Sequence, residues 1–319
     1  MSNRSISINA QPGLVGGAAL LAFTAISWGG LLQVAKPMLL VLDPFWLNTI
    51  RYFLSVPAFA AILLWREGPD GFRFEGQFLR LMLFGTVGFA GFGIVTLLGV
   101  RGTRPEHAAL IVAMMPLVTA AVGWARGAGR PPAFTLACML TALVGVGLTA
   151  SQGNPSAILE KGAGGASLLV FVGVVCWAVY TQNAAVLPTW SSLRYTTLSC
   201  GASLPGFAVL LVGASAAKWA HMPDTGSWAN STFWGMGYIV AIATVAAMLS
   251  WNTGIRRLGP LNGVLFINLV PVSAFAIGVI RGEQFSTIEW VGAGMVLASL
   301  IASNTYTRRR QFITLTPST

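Results

Sequence analysis

Apolar runs separated by short polar segments recur along the whole chain. They cover residues 13–32, 45–64, 79–100, 108–125 and 133–150, then 166–184, 195–216, 233–251, 261–280 and 288–302. Most approach the roughly 20 residues that an α-helix needs to cross the hydrocarbon core of a bilayer. The pattern predicts an all-α polytopic membrane protein with ten transmembrane helices. Residues 1–12 read as a polar tail, 13–150 as a first group of five helices and 151–165 as a Gly/Ser/Asn-containing linker loop. Residues 166–302 form a second group of five, and 303–319 a basic tail. The first run is longer than a signal-peptide core, so it is read as a retained helix.

Two stretches are versions of each other, 155 residues apart. Gly99, Arg101, Pro105, Leu110, Pro116, Ala121, Gly123, Arg126 and Gly127 fall on Gly254, Arg256, Pro260, Leu265, Pro271, Ala276, Gly278, Arg281 and Gly282. Each copy is an Arg-bearing turn with a proline, then an apolar run with a second proline near its middle, then Arg-Gly. Trp28 and Gln33 in the first span are matched by Trp177 and Gln182 in the sixth, and Pro57 and Phe59 by Pro205 and Phe207. An odd number of spans per half makes the second half enter the membrane from the opposite side, so the repeats are expected to be inverted. Rocking one such half against the other exposes a midplane site to alternate faces, which is the physical basis of a transporter.

Composition agrees with the hydropathy. The chain is 55% hydrophobic and 9% charged, far below the about 25% charge of soluble domains. Its net charge of +10 would suggest a nucleic-acid partner in a soluble protein, but in a membrane protein it follows from the bias of basic residues toward the cytoplasm. With the N-terminus inside, Arg4, Arg66, Arg73, Arg80, Arg126, Arg130, Arg194, Arg256, Arg257, Arg308, Arg309 and Arg310 face inward. Lys36, Arg101, Arg104, Lys161, Lys218 and Arg281 face outward, a ratio of twelve to six that predicts both termini in the cytoplasm. Cys138, Cys176 and Cys200 lie in apolar runs without a partner at ligand spacing, so neither a disulfide nor a metal is expected, and no cofactor motif is present.

The Arg-bearing approach to a helix centred on Pro116 or Pro271, the Trp in the first helix of each half and the five-plus-five arrangement resemble the EamA-type branch of the drug/metabolite transporter superfamily. Within it, the Trp- and Met-rich spans are similar to YddG-type exporters of aromatic and other amino acids. The resemblance implies a ten-helix basket in the bacterial inner membrane, with a central cavity lined mainly by the first, third, fourth, sixth, eighth and ninth helices.

The candidate substrate-binding residues are Trp28, Gln33, Met114, Trp177, Tyr180, Asn183, Trp251 and Asn268, with Pro116 and Pro271 as hinges. Ring faces inside a cavity suit planar apolar groups and, by cation–π attraction, an amine. Polar amides are costly in hydrocarbon and so are expected to face the interior. Each proline removes one helix hydrogen bond and crowds the carbonyl four residues back, at Val112 and Ile267. Arg51 is expected to snorkel to the headgroups, with a role against a substrate carboxylate or as a gating latch as the alternative. His107 and His221 are expected to be exposed, and the remaining tryptophans, Trp190 among them, to form the interfacial belt. Every carboxylate falls in a loop or at a helix end, which favours facilitative transport over proton coupling.

These features predict a monomeric carrier in the lipid bilayer that exports neutral or aromatic amino acids and related metabolites. A drug, sugar or other metabolite carrier of the same superfamily is the alternative. A membrane-embedded lipid-modifying enzyme is disfavoured because Glu106, His107 and Asp224 do not form a catalytic cluster in the sequence.

Overall fold

A computed structural model describes residues 12–152, 154, 163–224, 226 and 230–315. Among the described residues all regular structure is helical, as a backbone with no water to bond requires. The first half comprises α1 (Pro12–Met38), α2 (Pro44–Glu67), α3 (Phe78–Gly102), α4 (Pro105–Ala113), α5 (Met115–Ala125) and α6 (Ala133–Ser151). The second comprises α7 (Ala163–Ala184), α8 (Ser192–Ala216), α9 (Asn230–Leu258), α10 (Pro260–Gly263), α11 (Leu269–Ile280) and α12 (Thr287–Leu315).

Seven of these helices are long and apolar enough to cross a membrane, and α4 with α5 forms an eighth such span if the pair is counted as one. That pair is bent by 47° at Met114. The ninth and tenth expected runs appear as a shorter apolar helix, Leu265–Ile280, and as α12, neither of which is among the seven. The polar segment from residue 303 continues α12 to Leu315 rather than leaving the helix as a tail. Most of the 1–12 tail and of the 151–165 loop lies outside the described residues.

Local sequence explains the element ends. Asp43 caps α2 by accepting from the Phe45 N–H at 2.9 Å, with Pro44 in the first turn. Ser191 caps α8 through the Arg194 N–H. Ser286 and Glu289 bond reciprocally to each other's backbone N–H, a capping box that starts α12.

The related prolines act at corresponding places. Pro116 sits in the first turn of α5, directly after the bend. Pro271 sits in the first turn of α11, and the five residues 264–268 before it are wound as a tighter 3₁₀ segment. Two π-helical segments also correspond: Thr86–Gly91 within α3 and Tyr238–Ala246 within α9. Residues 86–91 shifted by 155 fall inside the second segment.

Glycines let the helices approach closely. A Cβ on Gly145 of α6 would come 2.6 Å from the Gly292 carbonyl oxygen of α12, and one on Gly292 would come 2.5 Å from that of Gly145. Gly85, Gly88 and Gly93 of α3 are equally tight against Ser199, Tyr180 and Asn48, whereas Gly294 faces open space. The outer faces carry exposed Leu40, Val209, Val212 and Ile280, the surface expected beside lipid acyl chains.

Candidate functional site

A cavity of about 490 Å³ lies between the halves, a size suited to a small organic molecule. Gly93, Thr96, Leu97, Val112 and Met115 line it from the first half. The residues 155 further along, Met248, Trp251, Asn252, Ile267 and Val270, line it from the second. Related helix faces therefore build opposite walls. Val112 and Ile267, the residues four before the two prolines, are both among them.

Aromatic rings make up much of the remaining wall. Trp28 and Trp251 meet with ring centroids 5.3 Å apart, and the Trp28 indole N–H donates to the Ala243 carbonyl at 3.1 Å. Trp177 contacts Phe92 at 5.3 Å and Tyr180 at 5.2 Å, and Tyr180 stacks on Tyr195 at 5.1 Å. The Tyr180 hydroxyl shares a hydrogen bond with Ser199 Oγ at 2.9 Å. The polar tips of Trp28, Tyr180 and Tyr195 are satisfied by protein, so these residues present their ring faces to the cavity.

Among the described residues, one charge stands in this wall. Arg51 lines the cavity and is 8% exposed. Its Nε donates to Thr244 Oγ1 at 2.8 Å, and that hydroxyl donates to the Ile239 carbonyl at 2.7 Å. Its guanidinium carbon lies 4.8 Å from the centroid of the Tyr52 ring. Among the described residues no carboxylate pairs with it. The expectation that Arg51 snorkels to the headgroups is therefore corrected. The π-helical turn of α9 supplies Thr244 as an inward anchor, which the position of Arg51 along α2 does not reveal.

The cavity reaches Leu187, Pro188, Trp190 and Ser191 in the turn between α7 and α8. Ser191 Oγ donates to Glu67 Oε1, Trp190 Nε1 to Glu75 Oε2 at 2.9 Å, and Arg194 Nη2 to Glu75 Oε1 at 2.6 Å. The mouth therefore lies at the end of the bundle where α2 finishes and α1 begins. The Trp190 hydrogen bond and then that of Arg194 hold the Glu75 carboxyl below its ordinary pKa. Trp190 was expected in the lipid-facing belt; instead it is 8% exposed and walls the mouth.

The opposite end is closed by a buried polar network that joins the halves. Gln33 Nε2 donates to Glu106 Oε1 at 2.5 Å and to the Ala274 carbonyl at 3.0 Å. Arg104 reaches Glu283 Oε2 at 2.8 Å and Glu289 Oε1 at 2.9 Å. His107 Nε2 lies 2.8 Å from the same Glu289 oxygen, and Arg281 donates to the Gln33 carbonyl at 3.1 Å. Glu106, His107 and Glu289 are all buried. His107 was expected to be exposed, and Glu106 to be an ordinary end-of-helix carboxylate. The start of α4 is covered by α1, α11 and α12, so both are enclosed although they stand at a helix terminus.

Of the candidate substrate-binding residues, Trp28, Trp177, Tyr180 and Trp251 line the cavity. Gln33 belongs to the closed end, where it borders a second cavity of about 380 Å³. Met114 is buried at the bend, and its neighbour Met115 lines the cavity in its place. Asn183 is buried between Arg80, which donates to its Oδ1 at 2.7 Å, and the Tyr195 hydroxyl. Asn268 is buried outside the lining, with no hydrogen bond to its Oδ1. Tyr52, Phe92, Tyr195 and Thr244 were not anticipated as wall residues. The signal that could have found Phe92 is its place one residue after the Gly-rich turn of α3.

Comparison with known proteins gives a consistent picture. The EamA-like transporter family matches this chain twice, over residues 15–151 and 165–305. The Bacillus subtilis (strain 168) protein named Uncharacterized transporter YrdR is 31% identical over 302 residues, covering 93% of each chain. Uncharacterized transporter YyaM of the same organism is 25% identical over 292 residues, covering 89% of this chain and 92% of that protein. A solved crystal structure shares the fold, with a TM-score of 0.63 at 18% identity over 92% of this chain and 98% of the other. The apolar helices, the cavity between two related halves and the family match over nearly the whole length converge: the chain is a multi-pass membrane transporter, not an enzyme, and it belongs to the EamA-like transporter family.

Proposed function

We propose that the protein exports neutral and aromatic amino acids and related metabolites by alternating access, as a monomer in the bacterial inner membrane. The observation that carries this reading is the aromatic-walled cavity, open at one end of the bundle and shut at the other by contacts between the two halves. A planar apolar side chain gains both area burial and ring–ring contact there. The family match to each half supports two five-helix repeats and ten crossings, and the odd number per half supports their inverted arrangement. With the twelve basic residues inside, the cavity opens to the cytoplasm and the polar network seals the outer face.

The cavity wall holds no carboxylate among the described residues, which supports facilitative rather than proton-driven movement. Pro116 and Pro271 act as hinges in this reading, because each stands beside a break in its helix and four residues after a wall residue.

The test is uptake of radiolabelled phenylalanine, methionine and threonine into proteoliposomes, with and without a pH gradient, beside a Trp177→Ala variant. Saturable phenylalanine uptake that ignores the gradient and weakens in the variant is expected. Absence of uptake for all three amino acids overturns the substrate assignment, and strong acceleration by the gradient overturns facilitative transport.

A further inference from the structure

We infer that Arg51 is the receptor for a substrate carboxylate, and that the site reads this group while leaving the substrate's amino group unread. The substrate class is then apolar or aromatic monocarboxylates, of which amino acids are one kind. This inference rests on the cavity being the transport site, as proposed above.

The argument begins with the cost of the guanidinium. A charged group removed from water is expensive unless it is paired and hydrogen-bonded. Arg51 is buried, yet only its Nε has a hydrogen bond among the described residues, to Thr244 Oγ1. The Tyr52 ring offsets part of the cost by cation–π attraction. Among the described residues neither Nη nitrogen has a hydrogen bond and no carboxylate pairs with them, although the residue borders an open cavity. With Nε tied back to α9, the two Nη groups are the free donors, and two parallel N–H groups suit the two oxygens of a carboxylate.

The rest of the wall selects the charge and shape of the ligand. Arg51 is the only charged side chain in the lining among the described residues. One cation balances one negative charge, so a phosphate dianion would keep a charge unmet in a wall that is otherwise aromatic and aliphatic. Among the described residues no Asp or Glu lines the cavity to hold an ammonium. An amine meets ring faces, neutral hydroxyls and the Asn252 amide, none of which is a counter-charge, so it is tolerable rather than required. The body of the ligand then lies along Trp177, Trp28 and Trp251.

The experiment is competition against radiolabelled phenylalanine uptake in proteoliposomes, using 3-phenylpropanoate, phenylalaninamide and phenethylamine. Competition is read because 3-phenylpropanoic acid crosses bilayers unaided. Inhibition by 3-phenylpropanoate, with at least roughly tenfold weaker inhibition by the other two, is expected, the scale of losing a hydrogen bond to a charged group. Equal inhibition by phenylalaninamide overturns the carboxylate receptor while leaving the carrier intact. Failure of 3-phenylpropanoate to inhibit overturns the unread amino group. Absence of phenylalanine uptake overturns the amino-acid reading, and the carboxylate receptor is then decided by the binding measurement below.

A second measurement needs no transport. Quenching of tryptophan fluorescence by 3-phenylpropanoate in the detergent-purified protein should weaken roughly tenfold in Arg51→Gln and be partly restored in Arg51→Lys, which keeps the charge but not the fork. Unchanged quenching in Arg51→Gln overturns the proposal. The comparison of analogues in the unaltered protein stands whether or not the variant folds.

Discussion

Gln33 Nε2 stands 2.5 Å from Glu106 Oε1, so the amide at the end of the first transmembrane helix is committed to the closed end of the bundle and not to the substrate cavity. Its second bond, to the Ala274 carbonyl, crosses to the other half of the molecule. Together with Arg104, His107 and Glu289 it forms the contact that breaks under the alternating access proposed above.

Glu289→Ala should open that end. The substitution removes one carboxylate partner of Arg104 and the partners of His107 and of the Ser286 N–H at once. Arg104 keeps Glu283, so the loss is that of hydrogen bonds to a charged group, about 1.5–3 kcal/mol, and it falls on the closed conformation. A cysteine introduced at Leu32, in a background with Cys138, Cys176 and Cys200 replaced by alanine, should be shielded from an impermeant thiol reagent added at the closed end. Labelling should rise several-fold in Glu289→Ala, and unchanged labelling would refute the latch.

Gly88→Ala should damage the cavity wall. A Cβ there would strike the ring of Tyr180, whose hydroxyl is fixed to Ser199 and whose face is stacked on Tyr195. Overpacking of this kind costs about 1–3 kcal/mol. The melting midpoint in detergent should fall, while Gly294→Ala, where nothing lies within 4 Å, should leave it unchanged or raise it slightly.

Pro116→Ala should slow transport without weakening binding. The backbone N–H that alanine restores can bond to the carbonyl of Val112, four residues back, and favour a straight α4–α5 in place of the 47° bend. The expected result is a lower maximal uptake rate at an unchanged half-saturation concentration. A selective rise in the half-saturation concentration would place Pro116 in binding instead of motion.

The mouth should loosen in acid. Hydrogen bonds from Trp190 and then Arg194 hold the Glu75 carboxyl below its ordinary value of 4.5. A lowered carboxylate pKa means that the tie is fully present above the ordinary value and is lost as pH falls from there through the lowered one. Tryptophan emission measured from pH 7 to pH 3 should shift to the red below the ordinary value, and the component due to Trp190 should be absent in Glu75→Gln.

How much of this was legible beforehand differs between backbone and side chains. The helical runs and the correspondence of Pro116 with Pro271 could be read because hydrocarbon forces long apolar segments and proline leaves a fixed mark on a helix. Trp28, Trp177, Tyr180 and Trp251 could be picked as wall residues because large rings within spans need either packing or a cavity. Asn183, Asn268 and Gln33 were expected at the cavity on the rule that amides avoid lipid. That rule says only that they point inward, not which interior partner they meet.

The amino-acid sequence by itself determined that this chain is a helical membrane protein made of two related parts, since length, hydropathy and residue spacing are local properties that the bilayer reads directly. Only the tertiary structure decided where its charges go. Arg51 is held by Thr244, 193 residues away, and His107 by Glu289, 182 residues away. Such contacts depend on how the halves dock and on a π-helical turn that aims one hydroxyl inward. No local pattern carries that information, because the energy of a buried charge is set by whichever group the fold brings beside it.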